Sequence, residues 1–82
     1  MKTWYVYILR CADDTLYTGV TDDVPRRLQT HNSGKGAKYT RGRTPVSVVY
    51  TETCATYSDA LKREYVIKQL KRQEKLQLIE RK

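Results

Sequence analysis

Tyr7, Tyr17, Arg27, His31 and Glu64 are the side chains of this sequence whose types and spacing suggest chemistry. Phenols and imidazoles move protons, a carboxylate takes a proton or a cation, and a guanidinium grips phosphate through its planar fork. Arg27 and His31 stand four residues apart, so they share a face of any helix that carries them. On a helix that begins near Thr56, Tyr57, Ala60, Leu61, Tyr65 and Ile67 spread over one broad apolar face, while Lys62 and Arg63 point away as surface charges. Glu64 falls inside that face. A carboxylate there is paired, protonated or bound to a cation, and Lys68 one turn later offers an ordinary helix pair. Each residue also has a plainer reading: Arg27 as a solvated charge, His31 as a helix-end residue meeting the dipole, the tyrosines as packing. Seven Tyr and no Phe strain that last reading, because every buried hydroxyl needs a partner. Some of these hydroxyls are expected to face a polar cleft.

Residues 34–45 add a second signal. Gly34, Gly36 and Gly42 alternate with Lys35, Lys38, Arg41 and Arg43, and no acid interrupts them. With Tyr39 in their midst, they form either a flexible connector or a strip that contacts phosphates and stacks on bases.

The elements that position these residues are legible from their periodicity. Trp4 to Leu9 is aromatic and β-branched and reads as a strand, with Leu16 to Val20 as its hairpin partner across Ala12-Asp13-Asp14. An odd hairpin loop puts Tyr7 and Tyr17 on one face of the sheet; an even loop puts them on opposite faces. Thr21-Asp22-Asp23 and Pro25 open a helix through His31. Val46 to Thr51 reads as a third strand, and Thr56 with Asp59 starts the second helix. Leu76, Leu78 and Ile79 mark a further amphipathic helix or an extension of the second. The predicted class is α/β of the α+β kind: a small three-stranded mixed or antiparallel sheet flanked by helices, order β-β-α-β-α(-α).

Composition narrows the partners. With 82 residues the chain is expected to form one small domain, 1–82, too thin for a separate cofactor domain. Sixteen Lys and Arg against nine Asp and Glu give a net charge of +7 and a pI near 9.6, which attracts polyanions. Cys11 and Cys54 are too few for a disulfide framework and read as packing at strand ends; a cytoplasmic protein with reduced thiols is expected. The apolar run from Trp4 stops at Arg10, too short for a signal core or a membrane span, so no membrane partner is expected.

These landmarks, in this order, resemble the GIY-YIG nuclease family, in particular its small stand-alone bacterial-type members. Tyr5-Val6-Tyr7 matches the first family motif and Tyr17-Thr18-Gly19 the second; Arg27 matches the arginine of the first helix and His31-Asn32 its end. Gly36 to Thr40 resembles the basic loop of the small members, and Glu64 stands at the place of the metal-binding glutamate. The resemblance implies a Mg²⁺-dependent endonuclease, with Mn²⁺ as a second suitable ion. It would cleave DNA by structure or strand character, with a link to repair or recombination. RNA is a compatible substrate, and the molecule is expected to be a monomer or weak homodimer. Under the resemblance Glu64 holds the metal, and Tyr17, with Tyr7 as the other candidate, orients or deprotonates the attacking water. Arg27 stabilises phosphate charge, and His31 assists Tyr17 or touches phosphate. Lys35, Lys38, Tyr39, Arg41 and Arg43 contact the nucleic acid. Val20 departs from a pattern in which some members carry lysine, and no asparagine follows Glu64. A catalytically silent nucleic-acid-binding module is the alternative reading.

Overall fold

The computed structural model describes residues 2–81. Its elements are β1 (Trp4–Arg10), β2 (Leu16–Thr21), α1 (Val24–Asn32), β3 (Ser47–Cys54), α2 (Tyr57–Gln69) and α3 (Arg72–Glu80). The sheet is antiparallel throughout in the order β2-β1-β3, so the expected α+β class and element order hold. The connection from α1 to β3 is not wholly irregular: Lys38–Thr40 forms a short 3-10 turn.

As the central strand, β1 buries Val6, Tyr7, Ile8 and Leu9 in succession, and its alternation divides the core in two. Val6 and Ile8 pack with Tyr50, Ala60 and Ile67, joined by Leu78 and Ile79 of α3. Tyr7 and Leu9 pack on the other side with Cys11 and Val46, joined by Tyr17, Val48 and Leu28 of α1. Each fully buried aliphatic side chain contributes roughly 1.5–3 kcal/mol.

The hairpin resolves the parity question. Arg10 pairs with Leu16, leaving residues 11–15, an odd loop, so Tyr7 lies opposite Gly19, Tyr17 lies opposite Leu9, and both tyrosines share a face. Asp14 takes a left-handed φ of 71°, which aspartate tolerates better than most residues. Asp13 Oδ1 accepts from the Thr15 amide at 3.2 Å and hydroxyl at 2.6 Å.

The helix starts follow their caps. Asp23 accepts from the Arg26 amide at 3.1 Å, with Pro25 in the first turn of α1, and Thr56 accepts from the Asp59 amide at 3.0 Å. At the far end of α1, Asn32 clasps β3: its Nδ2 donates to Val46 O at 3.0 Å and its Oδ1 accepts from Val46 N at 2.7 Å.

Three expectations need correction. β3 runs to Cys54 rather than Thr51, because it pairs along the whole of β1 and its Glu52 is held by Tyr50 and Arg63, each at 2.6 Å. Arg63 is therefore a partly buried ion-pair partner and not a free surface charge. The apolar face of α2 is narrower than its sequence suggests: Ala60 and Ile67 are buried, whereas Tyr57, Leu61 and Tyr65 are exposed. A sheet of three strands cannot cover the wider arc. The chain leaves α2 at Leu70, whose ψ of 144° separates α3 as a helix of its own.

β3 also carries a bulge. Ile8 pairs with Tyr50 but Leu9 with Val48, so Val48 turns to the Tyr7 side while Val49 stays with the other cluster.

Thr18 is 3% exposed, and its hydroxyl has no partner among the described residues. Thr18→Val keeps the shape and removes the orphaned donor, so it is expected to stabilise the fold by about 1 kcal/mol, read as a higher urea midpoint.

Candidate active site

One hydrogen-bond chain defines the centre of the site. The Tyr7 hydroxyl lies 2.9 Å from His31 Nε2, and His31 Nδ1 lies 2.9 Å from Thr40 Oγ1. Thr40 donates its only hydroxyl proton to Ala37 O at 2.9 Å, so toward His31 it can only accept. His31 therefore carries its proton on Nδ1, and Nε2 is the acceptor for Tyr7. Burial, and then the charge of Arg27, hold His31 below the ordinary imidazole range, in keeping with a neutral ring. Arg27 and His31 do share a face of α1, and that face meets Tyr7.

Burial pushes the Tyr7 phenol up; Tyr17 and Glu64 add to this, and the Arg27 guanidinium beside it pulls it back down. The same hydroxyl thus feels Arg27, Tyr17 and Glu64 at once. Glu64 lies between Ala60 and Ile67 on the inward side of α2, with its side chain 20% exposed and Lys68 at 3.4 Å. Among the described residues no group of three or more acidic, histidine or cysteine side chains could hold a metal, so a metal here would rest on Glu64 with water and substrate oxygens.

Tyr17 is held by rings. His31 and Tyr7 approach it at centroid distances of 5.5 and 6.5 Å, and Tyr39 stacks on it at 5.8 Å and 25°. Arg43 lies over the Tyr39 ring at 4.2 Å, donates to Tyr39 O at 2.8 Å, and is fixed to Asp13 at 2.9 Å. The Thr15 hydroxyl first, and Arg43 next, hold the Asp13 carboxyl below the usual carboxylate range.

Two glycines make room for this packing. A Cβ on Gly19 would overlap the Tyr7 hydroxyl and stand 2.6 Å from its Cζ; one on Gly36 would overlap the His31 ring and stand 2.8 Å from its Cα. Gly19→Ala is therefore expected to push Tyr7 off His31, lower stability by about 1–3 kcal/mol and depress turnover. Thermal unfolding and turnover, measured on one preparation, check it.

Tyr7, Tyr17 and His31 meet here, and Arg27 and Glu64 act electrostatically on the Tyr7 hydroxyl, with one change of partner: the His31 hydrogen bond goes to Tyr7, and its contact with Tyr17 is an edge-on ring contact. The basic strip divides. Lys35 and Lys38 are exposed, Arg41 donates from Nε to Gly36 O at 3.3 Å, and Arg43 braces Tyr39. Sequence reasoning missed the roles of Thr40, Asp13 and the Asn32 clasp. The signal for Thr40 was a hydroxyl in a glycine-hinged loop nine residues after a lone histidine.

Comparison with known proteins identifies the family. The chain is 54% identical over 80 residues to the UPF0213 protein of Staphylococcus haemolyticus, covering 98% of each. It is 59% identical over 76 residues to the UPF0213 protein of Oceanobacillus iheyensis, covering 93% of this chain and 88% of that one. The solution structure of the UPF0213 protein BH0048 of Bacillus halodurans superposes with a TM-score of 0.64 at 50% identity, covering 98% of this chain and 85% of that one. The model of the GIY-YIG catalytic domain matches residues 3–77, a span that runs from the first tyrosine motif past Glu64, and by that match the chain belongs to the GIY-YIG nuclease family.

Proposed function

We propose that this protein is a metal-dependent endonuclease that hydrolyses phosphodiester bonds in DNA selected by structure or strand character. The observation that carries the reading is the Tyr7 hydroxyl, donated to a neutral, buried His31 and bordered by Arg27 and Glu64. A raised phenol does not ionise at neutral pH, so Tyr7 works as a relay and not as a standing phenolate. Its oxygen takes a proton from the attacking water while its own proton passes to His31 Nε2. Thr40 keeps the ring oriented throughout. Such general-base help is worth about 10²–10⁴-fold. Tyr17, with its ring clamped, orients the water, and Arg27 meets the charge that builds on the phosphate.

Glu64 fits Mg²⁺: the ion accepts one carboxylate and takes its other ligands from water and phosphate oxygens, and Mn²⁺ has the same preference. Bound there, the metal would supply Lewis-acid neutralisation of the phosphate. Lys35 and Lys38 would carry the flanking backbone, with Arg41 and Tyr39 at its edge and Arg43 acting mainly through Tyr39.

The relay gives a pH dependence. Folded His31 resists protonation that the unfolded chain accepts at about pH 6.5. Stability is therefore full above that pH and is lost as pH falls through the lower folded value. The same proton blocks the acceptor of Tyr7. Turnover is expected to fall as pH drops below the ordinary imidazole range, and a profile that stays flat down to the pH at which the protein unfolds would remove His31 from the mechanism.

The deciding assay incubates the protein with labelled plasmid, flap and single-stranded DNA, and with RNA, in Mg²⁺, Mn²⁺ or EDTA. Cutting that requires metal supports the enzyme. The Lys68 ammonium already beside Glu64 favours a second reading, a silent nucleic-acid-binding module; salt-sensitive binding without cutting in either metal would select it.

A further inference from the structure

A groove of about 200 Å³ opens between the hairpin and the start of α3, lined by Thr15, Leu16, Tyr39, Arg72 and Lys75. It is smaller than the roughly 300–1,000 Å³ clefts that enclose cofactors and metabolites, and its walls combine two cations with a hydroxyl, an aromatic ring and an apolar floor. That combination matches the backbone and one sugar or base of a nucleic-acid strand. The groove is also placed for it. Tyr39, one of its walls, is the ring stacked on Tyr17, so a strand lying here is one ring's width from the candidate active site.

The cations themselves point the same way. Arg72 and Lys75 flank Glu74 in the first turn of α3: Glu74 caps the helix by accepting from the Lys71 amide at 2.8 Å, whereas the two cations oppose the helix dipole, and the last turn has no basic residue. The stability of the helix accounts for Glu74 but not for the two cations beside it. Neither cation is locked in place. Arg72 meets Asp14 only at 3.8 Å, with the side chains 51% and 76% exposed, and Asp14 also faces Arg10 at 3.5 Å. Lys75 has no ion-pair partner among the described residues.

We propose that Arg72 and Lys75 form a second phosphate-binding subsite, which holds the backbone of the substrate strand beside the bond to be cut and leads it across Tyr39 toward Tyr17. The inference rests on nucleic acid being the substrate, but not on catalysis.

The test therefore uses EDTA throughout. Fluorescence anisotropy measures binding of a labelled oligodeoxythymidine and of a labelled duplex over a series of salt concentrations. It compares the unmutated protein, Arg72→Ala/Lys75→Ala, and the control Lys62→Ala/Arg81→Ala, which removes the same charge from exposed positions outside the groove. Loss of two phosphate contacts is expected to weaken single-strand binding about ten-fold and to flatten its salt slope by about 1.4, against a change of less than about two-fold in the control. The groove variant should unfold no earlier than the unmutated protein, because its helix loses two charges that oppose the dipole and keeps the Glu74 cap. Equal affinity and slope in the two double variants would overturn the subsite and leave the nuclease reading standing. Failure of the unmutated protein to bind either oligonucleotide would overturn both.

Discussion

Glu64→Ala is expected to abolish metal-dependent cleavage, by at least about 10³-fold, while nucleic-acid binding persists or tightens slightly. The two effects have one cause. Glu64 is the carboxylate whose charge reaches the Tyr7 hydroxyl, and it is the candidate anchor for a divalent ion. Removing it deletes that anchor and also a negative charge facing a polyanion in a protein of net charge +7. Stability should barely change, because the lost pair with the half-exposed Lys68 is worth only a few tenths of a kcal/mol. Single-turnover cleavage with saturating Mg²⁺, set beside anisotropy in EDTA, reads both quantities. Undiminished cleavage by Glu64→Ala would remove Glu64 as the metal ligand.

Tyr7→Phe is expected to lower kcat by about 10²–10⁴-fold with little change in binding. The ring still packs against Gly19, Leu9 and Val46, but the proton path from water to His31 is cut. His31 Nε2 is then left without its donor in a fully buried position, which costs about 1–3 kcal/mol of stability. Tyr17→Phe is the informative partner. It leaves the ring stack intact and should harm turnover less, since among the described residues the Tyr7 hydroxyl, and not that of Tyr17, reaches an acceptor that can take its proton. A larger loss in Tyr17→Phe would transfer the role of base to Tyr17.

How far the sequence could be read depended on which residues obey a period. Trp4 to Leu9, the Thr56 cap and the inward side of Glu64 follow from strand or helix repeats and are found there, although Leu61, expected beside Glu64 on a buried face, is exposed. Hairpin parity was legible as a choice, and the pairing of Arg10 with Leu16 decided it. Periodicity fails in two ways. It shows which side chains gain from burial but not whether a surface exists to bury them, so Tyr57, Leu61 and Tyr65 looked like core. Tyr57 instead lies beside Trp4 with ring centroids 4.6 Å apart. It also says nothing about contacts across a loop. Thr40 on His31, Asp13 on Arg43 and Asn32 on Val46 join residues with no repeat between them, and these contacts set the tautomer, the ring stack and the end of α1.

The Asn32–Val46 clasp frames the site. By tying the end of α1 to the start of β3, it turns residues 33–45 into a closed loop. Within that loop Gly36, Tyr39, Thr40 and Arg43 are committed to His31 and Tyr17, and Gly34, at a left-handed φ of 82°, and Lys35 close the end of α1 with amides that donate to His31 O at 3.1 Å and Thr30 O at 3.2 Å. Doubling the length of a flexible loop costs only about 0.6 kcal/mol. Chain entropy alone would thus let this loop grow cheaply, but an insertion at Gly34–Lys35 would uncap the helix that carries His31, so the loop's length is set by the site it supports and not by the two elements it joins.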